Sequence, residues 1–366
     1  MFNKPYFSKT RLKKAGKKLF DYTFKCRGKR MMTMIMFLIV VLLLWNCWMV
    51  FIKPFSTATK ISHLYVDKDD NIDSVEYKLS KITNSSTMFY FSMLSNISNY
   101  KSRISCGHYE ISVSQSTFKT LKDLRGGHQK PVRIVVPSVW TKEMALGQIS
   151  RKLMIDSVSL VKTFNTEAEC SKYDLDTSTV VSLLIPNSYD VYWNISGEDF
   201  LKRMFKESNR FWNSSRTEKL RRLEMTKLQV LTLASIVDAE TTNNEEKPII
   251  AGLYINRMKI GMPLQSCPTI KYALRDFGLK RIYEKMLLIE SPYNTYRNKG
   301  LPPGPIRIPQ ISSIDAVLDY SKHDYLYMCA KEDFSGTHNF AATYKEHQKN
   351  AQRYSKVLDS RNKVSN

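Results

Sequence analysis

The sequence predicts an α+β protein carried behind a single N-terminal transmembrane helix, and three observations lead to that class. Met31 to Ile52 is an apolar run of 22 residues without a charge, just long enough as a helix to cross a hydrocarbon core of roughly 30 Å. Short runs at His63–Val66, Gly107–Val113 and Val132–Val136 have the composition and alternation of strands. Beyond Thr141 apolar residues recur at helical spacing. The 366 residues allow about two domains, and 43% hydrophobic with 25% charged residues fits a folded chain and excludes disorder.

The elements follow in order. Residues 1–30 form a basic tail with eleven Lys and Arg against one acid, Asp21, so nearly half of the net charge of +22 precedes the apolar run. Flanking Lys and Arg stay in the cytoplasm, which places the tail inside and the rest of the chain outside; anionic headgroups account for the tail's charge. A cleaved signal peptide fits less well. Its apolar core is shorter, and Phe51-Ile52-Lys53-Pro54-Phe55 is a poor cleavage site. Residues 31–52 are therefore read as an uncleaved helix with Trp45 and Trp48 toward its outer end, and residues 53–59 as a linker. A nucleic-acid role is disfavoured, because the charge clusters beside the membrane run and no nucleic-acid motif is present.

Residues 60–136 read as a small α+β unit: a strand at 63–66, an acidic turn at 67–73, a helix from Ser74, a strand at 107–113, a helix over Thr117–Leu124, a Gly126-Gly127 turn, and a strand ended by Pro137. Nothing in it carries catalytic chemistry. Residues 137–366 form the larger, mixed domain. Cys106, Cys170, Cys267 and Cys329 would face an oxidising compartment, where disulfides are permitted but not required; their pairing stays open. The cysteine spacings match no zinc motif, and neither metal nor cofactor is expected.

The informative stretch begins near Thr226. Leu228, Leu231, Leu233, Ile236 and Val237 give an apolar helix that ends near Glu240. Thr241 to Asn244 break it, and a second helix follows with Glu245 and Glu246 in its first turn, Ile249, Ile250, Leu253 and Ile260 on its buried side, and a stop at Gly261. A carboxyl where an apolar helix meets a polar loop is suited to general acid chemistry, because partial burial favours its protonated form. Glycosidic cleavage needs such an acid, commonly paired with a second carboxylate. Asp238, Glu245 and Glu246 are the candidates for that second group. Asp238 points roughly 200° away on the helix, and the two glutamates have simpler roles in helix capping.

The run Leu233-Ala-Ser-Ile-Val-Asp-Ala-Glu240-Thr241 is followed by Ile255-Asn256-Arg257, Gly261-Met262-Pro263-Leu264-Gln265 and Pro268-Thr269. Further on come Tyr293-Asn294-Thr295-Tyr296, Gly300 to Ile306, Tyr325-Leu326-Tyr327 and Thr337-His338-Asn339-Phe340. In this order, across residues 232–347, the blocks resemble the YceG-like endolytic murein transglycosylases. The resemblance extends more weakly through Gly107-His108-Tyr109 and Leu183–Tyr189, and it makes residues 60–136 similar to the family's LysM-like subdomain. It implies a YceG-like catalytic domain at 137–366, anchored in a bacterial inner membrane, that cuts nascent peptidoglycan strands between N-acetylmuramic acid and N-acetylglucosamine and leaves 1,6-anhydro ends. Glu240 is implied as the single acid and base. Substrate contacts are implied for Asn256, Arg257, Gln265, Tyr293, Asn294, Thr295 and His338. The family also implies proximity to peptidoglycan synthases, although no residue identifies one.

Two departures stand out. Relatives usually show Gln-x-Asp-Pro-Thr where this chain has Gln265-Ser266-Cys267-Pro268-Thr269, and Arg307-Ile308-Pro309-Gln310 replaces an Asn-Pro-Gly-like turn. The loss of a carboxylate at Cys267 leaves room for an alternative, a non-catalytic membrane-tethered scaffold that binds peptidoglycan for its synthases.

Overall fold

A computed structural model describes the backbone of residues 9–364 and the side chains of residues 29–360. The side chains of residues 1–28, with most of the basic tail and Cys26, lie outside the described residues. The chain divides into two compact units, Met1–Lys130 and Pro131–Asn366, and each mixes helices with small antiparallel sheets.

In the first unit, α1 (Lys9–Phe51) contains a segment, Lys29–Phe51, long and apolar enough to cross a membrane. Its lipid-length stretch is exposed, whereas Met49 and Val50 in its last turn are buried. The order then runs β1 (Ser62–Val66), α2 (Ile72–Ser80), α3 (Ser85–Ile97), β2 (Gly107–Ile111) and α4 (Thr117–Arg125). Side-chain caps start the helices: Asn71, Asn84 and Ser116 accept from the backbone N–H three residues on. β1 and β2 pair antiparallel, with His63 opposite Glu110 and Tyr65 opposite His108. Leu64 and Val66 on the inner face join Val75, Leu79, Phe91, Tyr109, Ile111 and Leu124 in one core, while His63 and Tyr65 face outward.

The second unit opens with β3 (Pro131–Val135), whose partner is the later β4 (Ser188–Tyr192). This strand, expected to close the smaller domain, therefore belongs to the larger one, and the boundary falls at 130/131 instead of 136/137. Its hydrogen-bonding partner lies more than fifty residues downstream, which strand composition cannot reveal. With α5 (Lys142–Ser150), α6 (Ser157–Phe164), α7 (Glu167–Cys170) and α8 (Gly197–Phe211), the pair encloses one core built on Ile134, Leu146, Leu160, Phe164, Phe200 and Met204. A second core gathers α9 (Ser214–Leu223), α10 (Lys227–Glu240), α11 (Lys247–Lys259), α12 (Cys267–Leu274) and α13 (Ile311–Leu318). The hairpin β5 (Tyr327–Ala330) and β6 (His338–Ala341) precedes α14 (Tyr344–Val364).

α10 is the central helix. Thr226 and Gln229 form a reciprocal capping box at its start, and Val230 through Asp238 are all buried. A helix apolar on every side belongs inside a core. α11 starts at Lys247 and ends before Gly261, whose φ of 67° suits glycine. Ile250 and Leu253 are buried as expected, but Ile260 is exposed because it already caps the helix and points off its end. Among the described residues, Cys47, Cys170, Cys267 and Cys329 carry free thiols.

Candidate functional site

Glu240 closes the buried helix α10 and is itself half-buried. Tyr254 on α11 donates its hydroxyl to Glu240 Oε1 at 2.7 Å, and Ser266 donates its own at 2.6 Å. Both donors are rigidly held. The Tyr254 ring is buried in the core of α10 and α11, and burial together with the neighbouring carboxylate pushes its phenol well above the usual tyrosine range. It therefore keeps its proton and can only donate toward the acid. Ser266 occupies the N-cap position of α12, where a serine hydroxyl normally accepts from the helix. Here it makes no capping bond and turns to Glu240 instead. Among the described residues, every hydrogen bond to the Glu240 carboxyl goes to Oε1, which leaves Oε2 available for chemistry.

The Ser266 backbone is fixed in turn by Thr295. Its N–H donates to Thr295 Oγ1 at 3.0 Å, the Gln265 N–H donates to the Thr295 carbonyl at 3.0 Å, and Thr269 Oγ1 lies 2.9 Å from Thr295 Oγ1. Thr295 is fully buried, so it frames the loop beneath the acid. Asn294 is likewise buried, donating to the Leu287 and Ile289 carbonyls and accepting from the Tyr296 N–H. Both were expected at the substrate surface. Their side chains instead satisfy backbone groups that a buried turn would otherwise leave unpaired.

Asn256 and Arg257 show the same inversion. Asn256 Nδ2 donates to the His323 and Tyr325 carbonyls, and Arg257 donates to the Leu326 and Leu264 carbonyls at 2.6 Å each. They clamp the segment before β5 and the loop before Ser266, and their donors are not turned toward a ligand. His338 contacts Glu246: its backbone N–H and ring Nδ1 lie 2.7 and 3.0 Å from the two carboxylate oxygens. Glu246 also accepts from Thr241, directly after the acid. Glu246 is thus a buried cross-link between the loop after α10 and β6, not a first-turn dipole residue. Gln265 remains exposed beside Glu240's donor Ser266, with a left-handed φ of 51°.

Tyr293 lines a cavity of about 480 Å³ with Trp140, Lys142, Tyr272 and Arg275, and Glu240 is not among the residues lining it. Its ring packs against Tyr272 with centroids 4.7 Å apart, and burial raises its phenol to about 12. Cys267 is exposed and lies 3.1 Å from the Tyr296 hydroxyl.

Among the described residues, none of the other acids forms a hydrogen-bonded pair with Glu240. Asp238 faces inward, where it meets Lys247 at 3.4 Å and Arg307 at 3.1 Å and accepts from Ser313. Arg307 is the second cation of this cluster. Glu245 is exposed. Tyr254 and Ser266, the two donors to Glu240, belong to no motif that marks them in the sequence as its partners. The available signal was a tyrosine on the apolar side of α11, since a buried phenol needs a hydrogen-bond partner.

The Glu240 carboxyl is half-buried, and Tyr254 and Ser266 both donate to the same oxygen of it. The pattern of the YceG-like family matches residues 64–353, and the chain belongs to that family. It is 40% identical over 157 residues to an endolytic murein transglycosylase of Bacillus subtilis, covering 43% of this chain and 42% of that one. It is 26% identical over 319 residues to an endolytic murein transglycosylase of Streptococcus pneumoniae, covering 78% of this chain and 57% of that one. The chain therefore spans about half the length of these curated relatives. The crystal structure of a YceG-like protein from Listeria monocytogenes superposes with a TM-score of 0.52 at 26% identity, covering 80% of this chain and 99% of that one.

Proposed function

We propose that this chain is an endolytic peptidoglycan lytic transglycosylase that cleaves the bond between N-acetylmuramic acid and N-acetylglucosamine within glycan strands. The observation that carries the proposal is the Glu240 carboxyl held at Oε1 by Tyr254 and Ser266, in a chain of the YceG-like family. Protonated Glu240 gives its proton from Oε2 to the glycosidic oxygen as the bond to muramic acid C1 breaks. Positive charge develops at C1. The resulting carboxylate takes the proton of the same sugar's C6 hydroxyl as that oxygen closes on C1. The proton is returned, no water is consumed, and a 1,6-anhydro end remains. One acid suffices because attack within one sugar has a large effective molarity. This matches the absence of a second carboxylate hydrogen-bonded to Glu240 among the described residues.

Glu240 is the catalytic residue of this reading. Tyr254 and Ser266 position it, and Gln265 and Tyr293 remain candidates for glycan contact. Asn256, Arg257, Asn294, Thr295 and His338 act by holding the surrounding loops. The first unit is read as LysM-like, supported by its β1–α2–α3–β2 order with an antiparallel closing pair. The Lys29–Phe51 segment is read as an anchor in the bacterial inner membrane, with the tail cytoplasmic and residues 53–366 outside, supported by its length, its apolar character and the basic flank.

The test is mass spectrometry of muropeptides released from glycan strands by residues 56–366, with Glu240→Gln as the control. Anhydro-ended internal fragments from the parent alone are expected. Binding to sacculi by both proteins with no anhydro product from either would replace the proposal with the scaffold reading.

A further inference from the structure

The outward face of the β1–β2 pair carries a cluster with a different chemistry, independent of Glu240. In the antiparallel register His63 stands opposite Glu110 and Tyr65 opposite His108, so all four side chains share one face. His63 Nδ1 lies 2.9 Å from His108 Nε2 and 4.0 Å from Glu110 Oε1, and the three ligand atoms fall within 4.8 Å of one another. We propose that His63, His108 and Glu110 form a binding site for a divalent transition-metal ion of the zinc class.

Three features support more than a chance imidazole pair. The first is orientation. His108 Nδ1 sits 3.1 Å from the Lys130 carbonyl oxygen. A carbonyl can only accept, so Nδ1 holds the proton and the Nε2 lone pair is directed at His63. A backbone carbonyl on the far nitrogen is the usual device that sets the tautomer and aim of a metal-binding histidine. The second is preorganisation. His108 is buried, with the Tyr65 ring stacked on it at 4.8 Å and the His63 ring centroid 5.2 Å away. The third is spacing. Bonds of 2.0–2.2 Å in a tetrahedral shell set neighbouring ligand atoms about 3.4 Å apart, and the observed 2.9 and 4.0 Å bracket that value. His63 is exposed and Glu110 half-exposed, so both side chains have room to adjust. In the metal-free protein the shared hydrogen of the two imidazoles occupies the place of the cation. Two neutral imidazoles and one carboxylate give a borderline-soft donor set that suits zinc and its neighbours, not calcium or magnesium. With three protein ligands, the fourth position stays open to water.

The experiment titrates the full chain in detergent micelles with Co²⁺, whose four-coordinate form has an intense visible d–d band, and then with Zn²⁺ as competitor. One equivalent of Co²⁺ is expected to give the band, and Zn²⁺ to bleach it. His63→Ala and Glu110→Gln change exposed or half-exposed side chains and leave the core intact; each is expected to weaken Co²⁺ binding at least tenfold. His128→Ala, on the same unit, is expected to leave it unchanged. Absence of a tetrahedral band in the parent overturns the proposal. So does a band that survives in His63→Ala, or one that is lost in His128→Ala.

Discussion

At the scale of single residues, the reactivity assigned to Glu240 depends on how its two oxygens are treated differently. Replacing it by Gln keeps both hydroxyl contacts but removes the transferable proton, so kcat is expected to fall by about 10²–10⁴-fold with folding intact. Release of anhydro-ended fragments alongside a thermal unfolding curve checks both parts. Tyr254→Phe removes one of the two donors to Oε1 while preserving the buried ring. A hydrogen bond to a charged group contributes about 1.5–3 kcal/mol, so kcat/KM should drop roughly 10–100-fold. An unchanged rate would assign Tyr254 to packing alone. The buried phenols also have a consequence for pH. Tyr109, Tyr189 and Tyr293 are raised to about 12 by burial, whereas the same groups in the unfolded chain ionise near 10. The folded state therefore holds more protons between these values. Stability is fully present below pH 10 and declines as pH rises toward about 12, which denaturant midpoints measured across that window will show.

Among the elements, α10 and α11 together make the site: one ends on the acid and the other supplies a donor to it. Their junction is secured by ions and not by apolar contact alone. Asp238, Lys247 and Arg307 form a cluster in which Asp238 and Lys247 are almost wholly removed from water. Removing one partner strands the remaining buried charges, so Asp238→Ala is expected to destabilise the chain by about 3–5 kcal/mol, read from chemical denaturation. α11 also approaches the segment before β5 so closely that a side chain has no room. A Cβ on Gly252 would come within 2.3 Å of the Ser321 carbonyl oxygen. Gly252→Ala should cost about 1–3 kcal/mol by overpacking and loosen the segment that Asn256 and Arg257 hold.

For the whole molecule, the proposed function reads the apolar helix Lys29–Phe51 as the membrane anchor. Full-length protein is expected in the detergent phase on phase separation, and residues 56–366 in the aqueous phase. Recovery of both in the aqueous phase would overturn the anchor. The two compact units, the Glu240 carboxyl and the outward His63–His108–Glu110 face differ in how far each is legible in the sequence. The apolar run, the apolar helix ending near Glu240 and the stop at Gly261 are all local, governed by composition and by spacing within a few turns, and they could be read directly from the sequence. So could the family, from ordered blocks of residues. What the sequence left open depends on partners far away along the chain. β3 joined the larger unit because its ladder lies at Ser188–Tyr192. Asn256, Arg257, Asn294, Thr295 and His338 have side chains suited to a sugar. Tertiary folding instead placed backbone carbonyls, N–H groups and a buried carboxylate within their reach, and polar groups removed from water must be satisfied there. Tyr254 and Ser266 converge on Glu240 from positions 14 and 26 residues away, and His63 meets His108 across 45. The sequence by itself determined the family and which segment is long and apolar enough to cross a membrane. Only the tertiary structure decided what holds the acid, because side-chain partnerships at that separation are made by packing and not by spacing.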